Sequence, residues 1–192
     1  NASKCIISSI SRGSAICSMT IDMIETERLV LRRWKEDDAE ALYGCASDGR
    51  VSRLALWPRH TSVEMSREVI MRFFLPNPHV FAIVPKDSDN PIGCIGLVPE
   101  GDEHYVTAHA EREVGYWIAY PCWGKGLTTE ALKGFISYCR TELRLESLLI
   151  TTDSRNMAFR RVAEKCGFEF TGDYVLDGIQ AKAYRLKLES AL

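Results

Sequence analysis

The segment Glu113–Leu132, EVGYWIAYPCWGKGLTTEAL, joins an apolar strand to a long amphipathic helix through a turn that contains two glycines. Gly124 and Gly126 flank Lys125 in that turn, and the helix begins directly after them. The first N–H groups of a helix have no partner within the helix, and the helix dipole adds partial positive charge there. Glycines let the backbone approach an anion closely. The segment therefore predicts a site for a ligand that carries phosphate.

Two other phosphate-binding loops do not fit this segment. A Walker A loop needs a glycine at the position of Ala119 and a Ser or Thr directly after Lys125, where Gly126 stands. A dinucleotide-binding fingerprint needs a third glycine at the position of Thr129. A tight turn that binds no ligand stays open as an alternative, because a single G-x-G is a weak signal.

Hydrophobic periodicity assigns strands and helices to the rest of the chain. The predicted strands are Arg28–Trp34, Val80–Val84, Ile92–Val98, Glu113–Ala119, Leu148–Thr152, Phe168–Val175 and Ala181–Leu188. The predicted helices are Glu36–Ala46, a helix capped by Thr61 or Ser62, Gly126–Leu143 and Asn156–Cys166. We expect the last two strands to form a hairpin around Asp177-Gly178. This order of elements predicts one α/β or α+β domain with a mixed sheet.

Composition narrows the functional classes. The chain has 192 residues, a net charge of −2 and a hydrophobic fraction of 46%, which are typical of a globular protein that binds neither nucleic acid nor membrane. No apolar run approaches the roughly 18 residues that a membrane span needs. The seven cysteines form no C-x-x-C pair. We therefore predict reduced thiols, no structural metal and a cytoplasmic location.

The first 22 residues are rich in serine and lack periodicity. We predict that residues 1–22 are an extension outside the domain, with the natural start at Met19 or Met23, and that residues 23–192 form the single domain. A cleaved targeting peptide is the alternative.

Four motifs, in order, resemble the GNAT acyltransferase superfamily, and most of all its ribosomal-protein N-terminal acetyltransferase branch. They are ETERLVLRRW at Glu25–Trp34, E-x-G-Y-W-I at Glu113–Ile118, W-G-K-G-L-T-T-E-A-L at Trp123–Leu132, and N-x-x-x-x-x-V-A-E-K-C-G-F at Asn156–Phe168. The resemblance covers residues 24–188. It implies the GNAT fold, a central mixed and mostly antiparallel sheet flanked by about four helices. It also implies transfer of an acetyl group from acetyl-CoA to an amine.

The resemblance assigns the coenzyme-A site to particular residues. The diphosphate would rest on the amides of Trp123–Thr128, and the pantetheine arm would pair with the strand Trp117–Ala119. Asn156 would hydrogen-bond the pantetheine or act only as a helix cap, and Arg161 would reach a phosphate. The predicted cofactor residues are Trp117, Ile118, Ala119, Trp123, Gly124, Lys125, Gly126, Leu127, Thr128, Thr129, Asn156 and Arg161.

Two residues depart from the family pattern. Pro121 stands where the superfamily usually has Gln or Arg, and Phe159 stands where many relatives have Ser. Phe159 also falls on an apolar helical stripe with Val162, Ala163 and Cys166, which predicts a core role. No hydroxyl proton donor is then available at that position.

Acyl transfer needs a base and a proton donor. The resemblance indicates Glu113 as the base, acting through a water, with Glu111 in reserve because it lies two positions earlier on the same strand face. The alternative is that Glu113 is a surface strand residue or pairs with Arg112 or another arginine. The candidates for the proton donor are Tyr116, Tyr174, Tyr184 and bulk solvent, and a covalent intermediate on Cys122 is disfavoured because no activating histidine is close to it in sequence.

The acceptor is expected over two loops. By analogy, Trp57 and Arg59 contact it from the first loop, together with His60. The second loop carries Glu100, Asp102, Glu103, His104 and His109, which would suit a cationic amine or would simply be solvated. The expected partner is a small amine or a protein N-terminus, and the enzyme is expected to be a monomer or homodimer. A non-catalytic module that binds or senses acyl-CoA is the leading alternative, and a nucleotide-binding protein is a more distant one.

Overall fold

An eight-stranded sheet with strand order β1-β2-β3-β4-β5-β6-β8-β7 forms the centre of the molecule. The structure is a computed structural model that describes residues 21–53, 57–104, 111–176 and 178–188. The strands are β1 Met23–Glu25, β2 Leu29–Arg33, β3 Val80–Pro85, β4 Gly93–Leu97, β5 Glu111–Ile118, β6 Ser147–Asp153, β7 Glu169–Leu176 and β8 Ile179–Lys187. Every neighbouring pair is antiparallel except β5 and β6, which run parallel.

The described residues form five α-helices. They are α1 Ala39–Ala46, α2 Gly49–Ser52, α3 Val63–Val69, α4 Leu127–Thr141 and α5 Met157–Lys165. Ser62 caps α3, because its side chain accepts a hydrogen bond from the N–H of Met65. Helix α3 continues as a π-helix over Ile70–Phe74.

Helices lie on both faces of the sheet, as the alternation along β3 shows. Phe81 and Ile83 belong to a core cluster that includes Phe135 of α4, whereas Val80 and Ala82 belong to a second cluster with Leu42 of α1. Successive residues of a strand point to opposite faces. Helices α4 and α1 therefore pack against opposite faces of the sheet.

The sheet opens between its two parallel strands. The described pairing of β5 with β6 joins Glu111–Glu113 to Ser147–Leu149, although β5 continues to Ile118 and β6 to Asp153. Beyond Glu113, β5 stays paired only with β4 among the described residues. The two halves of the sheet therefore diverge from Glu113 onward, and this divergence positions the site.

The predicted mixed, mostly antiparallel sheet with flanking helices is confirmed, with small changes at element ends. The helix predicted over Glu36–Ala46 is a 3₁₀ turn followed by α1, and Asp38 at the junction accepts from the N–H of Lys35. Strand β1 and helix α2 were not predicted. Residues 1–20 of the extension predicted over residues 1–22 lie outside the described residues, and so does the turn residue Asp177.

Candidate active site

A cavity of about 600 Å³, the inner cavity, occupies the opening between β5 and β6. Its lining comes from β4, β5, β6, the start of α4 and α5, and includes Cys94, Gly96, Val114, Tyr116, Trp117, Ile118, Thr128, Thr129, Thr151, Thr152, Phe159 and Val162. One end of the cavity is thus the beginning of a long helix, and Glu113 lies where the two strands separate.

The turn before α4 borders the inner cavity through Gly124 and Gly126. Gly124 and Gly126 each have a φ of 75°, a left-handed conformation that favours glycine. A Cβ on Gly124 would meet no atom within 4 Å, so the space beside it is open. The carbonyl of Gly126 accepts from Glu130, so the N–H groups of residues 127–129 precede the first bond within the helix. The turn can therefore bind an anion.

Glu113 is buried, with 2% of the residue exposed, and both of its carboxylate oxygens have hydrogen-bond partners. Oε2 accepts from the backbone N–H of His104 at 2.7 Å, and Oε1 lies 3.0 Å from Nδ1 of the same histidine. The hydroxyl of Thr151 on β6 donates to Oε1 as well. The alternative that Glu113 is a surface strand residue is wrong because the residue is buried, and Arg112 bonds Glu100 and the carbonyl of Val98 instead of Glu113.

The reserve candidate Glu111 has a different environment. It is 3% exposed, and its Oε1 accepts from Arg185 Nε at 2.5 Å and from the Ser147 hydroxyl at 3.0 Å. It does not belong to the lining of the inner cavity. Glu111 therefore ties β5 to β6 and β8, while Glu113 lies at the cavity.

Comparison with known proteins identifies the family. Residues 28–169 match the Acetyltransferase (GNAT) domain. The chain belongs to the GNAT acetyltransferase family. YoaA of Bacillus subtilis (strain 168), named as an uncharacterized N-acetyltransferase, is 28% identical over 154 residues, which cover 78% of this chain and 84% of YoaA.

Solved structures share the fold. RimL, a ribosomal L7/L12 α-N-protein acetyltransferase in complex with coenzyme A, has a TM-score of 0.74 at 17% identity and covers 88% of this chain and 99% of RimL. RimJ of Mycobacterium smegmatis, in complex with CoA-disulfide, has a TM-score of 0.69 at 20% identity and covers 88% of each chain. The predictions of a GNAT fold, an N-acetyltransferase and an acetyl-CoA co-substrate are confirmed.

The GNAT domain brings most of the predicted cofactor residues to one cavity. Those that line the inner cavity are Trp117, Ile118, Trp123, Gly124, Gly126, Thr128, Thr129, Asn156 and Arg161. The other three are not part of its lining. Ala119 uses its N–H to bond the carbonyl of Ile92 at 2.7 Å, Leu127 packs against the core, and the Lys125 carbonyl accepts from Arg28 at 3.1 Å.

Asn156 caps α5 in this GNAT domain. Its Oδ1 accepts from the N–H of Phe159 at 3.2 Å, so the predicted cap role is confirmed. The residue also lines the inner cavity. A contact with pantetheine stays a prediction.

A second cavity of about 490 Å³, the outer cavity, adjoins the inner one through Trp57 and His104, which line both. Arg59 and Arg53 also line the outer cavity. Trp57 packs between two rings, with centroids 5.7 Å from Trp117 and 5.5 Å from His60. The two predicted acceptor residues, Trp57 and Arg59, therefore lie together.

Other candidate residues of the acceptor loops contact neighbouring protein groups. The Nδ1 atom of His60 lies 2.8 Å from the Ser66 hydroxyl, and the ring is buried, which lowers its pKa. Glu100 and Glu103 face Arg112 at 3.0 and 3.9 Å. Asp102 is exposed, and His109 lies outside the described residues. Sequence reasoning did not find Thr151 or Phe74 of the inner cavity, since nothing in their local pattern differs from core positions.

Two of the predicted proton donors, Tyr116 and Tyr184, are bound to other groups. Tyr116 stacks on Phe159 with centroids 4.0 Å apart and donates its hydroxyl to the Phe159 carbonyl at 3.0 Å. Burial raises the pKa of Tyr116 well above its ordinary value. The Tyr184 hydroxyl accepts from Arg160 at 2.7 Å. Phe159 is therefore a wall of the cavity that also fixes Tyr116.

Neither a metal-binding cluster nor a membrane-spanning helix occurs among the described residues. They contain no group of three or more His, Cys, Asp or Glu side chains that could hold a metal ion. No described helix is both long and apolar enough to cross a membrane.

Proposed function

We propose that this GNAT domain transfers an acetyl group from acetyl-CoA directly to a primary amine, either a protein N-terminus or a small amine. The observation that carries the proposal is the inner cavity, which begins at the turn before α4 and reaches the buried Glu113 where β5 and β6 separate. The helix start at one end of this cavity suits the diphosphate of acetyl-CoA, and the space beside the Glu113 carboxylate at the other end suits its thioester.

Coenzyme A is expected to lie along the inner cavity. The amides of Gly124–Thr129 and the helix dipole attract the diphosphate. Arg161 and Lys165 also line this cavity, so two cations are available to the phosphates. The pantetheine arm would follow β5 into the opening that Asn156 borders.

The chemistry requires three conditions at the inner end of the cavity. The amine must attack as a neutral nucleophile, the thioester oxygen must be stabilised as negative charge develops, and the thiolate must leave. An α-amine titrates near pH ~8 and a lysine amine near ~10.4, so a base has more work to do for lysine. The His104–Glu113 pair supplies basic groups at the required place.

The walls indicate which amines suit the site. The acceptor side of the inner cavity is apolar, with Val51, Trp57 and Phe74 in its lining. The outer cavity adds the exposed Arg53 and Arg59. We therefore expect an acceptor whose amine carries an apolar or aromatic group and, farther out, an anionic group. The acidic loop is less suited to bind a cation, because Glu100 and Glu103 already face Arg112.

Thiol release from acetyl-CoA, measured with a panel of amines, tests the proposal. The panel includes aromatic amines with and without a distal carboxylate, free lysine, and peptides that vary in their first residues. Mass spectrometry of the product confirms an increase of one acetyl group on nitrogen. We expect release with at least one amine, and faster release with carboxylate-bearing aromatic amines.

The same assay separates the alternatives. Tight CoA binding without thiol release for any acceptor would favour a module that only senses acyl-CoA. Competition by adenosine nucleotides as effective as that by CoA would favour a nucleotide-binding protein.

A further inference from the structure

His104 and Glu113 form a hydrogen-bonded pair where the two cavities meet. The two Glu113 oxygens accept from the backbone N–H and from Nδ1 of His104, at 2.7 and 3.0 Å. The pairing joins a loop residue to β5, and Thr151 adds a donor from β6. The N–H and Nδ1 of His104 and the hydroxyl of Thr151 all contact this one carboxylate. The position of His104 in its loop is therefore fixed relative to the opening between β5 and β6.

The two side chains differ strongly in accessibility. Only 3% of the Glu113 side chain is exposed, compared with 38% of the His104 side chain. His104 also lines both the inner and the outer cavity. An amine that enters through the outer cavity therefore meets the imidazole before the carboxylate.

The hydrogen bonds fix the proton on the ring. An ionised carboxylate accepts hydrogen bonds and cannot donate them, so Nδ1 must carry the hydrogen of the His104–Glu113 bond. In the neutral imidazole the basic lone pair then resides on Nε2, the ring nitrogen that Glu113 does not engage. The buried negative charge of Glu113 also stabilises the imidazolium once Nε2 takes a proton.

We propose that His104 is the catalytic base of the acetyl transfer and that Glu113 is a positioning residue that acts through it. This inference rests on the proposed function and assigns its proton transfer. It replaces the sequence-based expectation that Glu113 acts as the base through a water.

The proton balance of the step is complete. The acceptor enters as an ammonium ion, and Nε2 of His104 takes one proton from it. The nitrogen lone pair forms a C–N bond with the thioester carbonyl carbon, and the carbonyl electron pair moves to oxygen. When that pair returns, the C–S bond breaks and the thiolate leaves. The second nitrogen proton passes to the thiolate to give the CoA thiol, and His104 releases the first proton to solvent.

The charged groups around His104 define the electrostatics of the step. Among the described residues, Glu113 faces it from β5, Glu103 precedes it in the loop, and Arg53 and Arg59 share the outer cavity with it. The carboxylates favour the imidazolium and the arginines oppose it. Glu113 makes the direct contact, so its effect is expected to dominate.

The substitution H104N tests this assignment. The Asn amide can still donate to Glu113 from near the position of Nδ1, but it has no basic nitrogen. We expect kcat to fall by about 10²-fold or more, with CoA affinity unchanged, and the loss of the acidic limb of the pH profile of kcat/KM. Exogenous imidazole is expected to restore part of the rate to H104A. The control H79N makes the same change at a histidine outside both cavities and is expected to keep the wild-type rate.

The E113Q variant tests the positioning role. Glutamine can still accept from Nδ1 but carries no charge, so we expect a lower kcat and an acidic limb whose midpoint moves to lower pH. The proposal fails if H104N keeps its rate within about threefold and retains the acidic limb of the pH profile, while E113Q loses that limb. Glu113 is then itself the base. Failure of the proposed function is recognised separately, because the wild-type protein would then release no thiol with any amine.

Discussion

Arg28 Nε lies 2.7 Å from Oε2 of Glu130, which joins the residue before β2 to the first turn of α4. The same carboxylate accepts from the Arg28 N–H at 2.7 Å and from the Thr26 hydroxyl at 2.6 Å. Arg28 also donates to the Lys125 carbonyl at 3.1 Å. Burial opposes ionisation of Glu130, but these donors together lower its pKa. The Arg28–Glu130 pair thus holds the turn before α4 in the conformation in which its backbone N–H groups can bind an anion.

Replacing Arg28 with glutamine is therefore expected to weaken CoA binding. R28Q loses the ion pair with Glu130 and the bond to the Lys125 carbonyl, so the turn loses its brace. We expect the Kd for CoA, measured by calorimetry, to rise about three- to tenfold, equivalent to about 0.7–1.4 kcal/mol. R67Q is the control, because Arg67 on α3 forms an exposed ion pair with Glu36 and lies outside both cavities, so the substitution removes the same charge. An equal loss in both variants would contradict the brace.

Aspartate at Gly124 or Gly126 is expected to abolish measurable CoA binding. Each glycine has a φ of 75°, which strains any other residue, and a carboxylate there would repel the diphosphate. G178D is the matched control, since Gly178 has a φ of 80° but lies outside both cavities. It shares the backbone strain without the repulsion. Normal CoA affinity in G124D and G126D would show that the diphosphate binds elsewhere.

The sequence was sufficient for the strand-turn-helix segment because all of its signals are local. The glycine turn, the helix period and the strand before them lie within Glu113–Leu132, and the family motifs add their order. Local spacing likewise predicted a cap at Asn156 and one at either Thr61 or Ser62, of which Ser62 is the cap. Strand β1 was missed because a three-residue edge strand is too short to display alternation.

The distinct roles of Glu111 and Glu113 could not be read from the sequence. Both lie on one face of β5, as alternation predicts, but their partners come from distant segments. Glu111 meets Arg185 at a separation of 74 residues, and Glu113 meets Thr151 at a separation of 38. Which carboxylate lies at the cavity depends on where the β5–β6 pairing ends, and no local pattern encodes that point.

Glutamine at position 111 is expected to reduce stability and leave catalysis unchanged. E111Q removes the negative partner of Arg185, whose side chain is only 35% exposed. We expect the free energy of unfolding, from denaturant titration, to fall by about 1–3 kcal/mol. The kcat of the folded fraction should match that of the wild type. A large fall in kcat with unchanged stability would indicate that Glu111 acts in catalysis, as a base candidate, and not only in stability.

Stability is expected to depend on Asp153 at acidic pH. Hydrogen bonds from Arg155 lower the pKa of the Asp153 carboxylate, whose side chain is 1% exposed. Because the folded-state pKa is depressed, the carboxylate stabilises the fold above its unfolded value near ~3.9 and loses this contribution as pH falls through the folded value.

Thermal unfolding measured across acidic pH checks this dependence. D153N should be less stable than the wild type at neutral pH and should lose less stability on acidification below ~4. S154A is a suitable control, since it changes the neighbouring turn residue and no titrating group. Identical pH profiles for D153N and the wild type would contradict the assignment.

The most direct test of the coenzyme-A site is the response of individual backbone amides to CoA, followed by ¹H–¹⁵N NMR during a titration. We expect the resonances of Gly124, Gly126, Leu127, Thr128 and Thr129 to move most, with smaller shifts along β5. Large shifts elsewhere, with these five amides unchanged, would contradict the account.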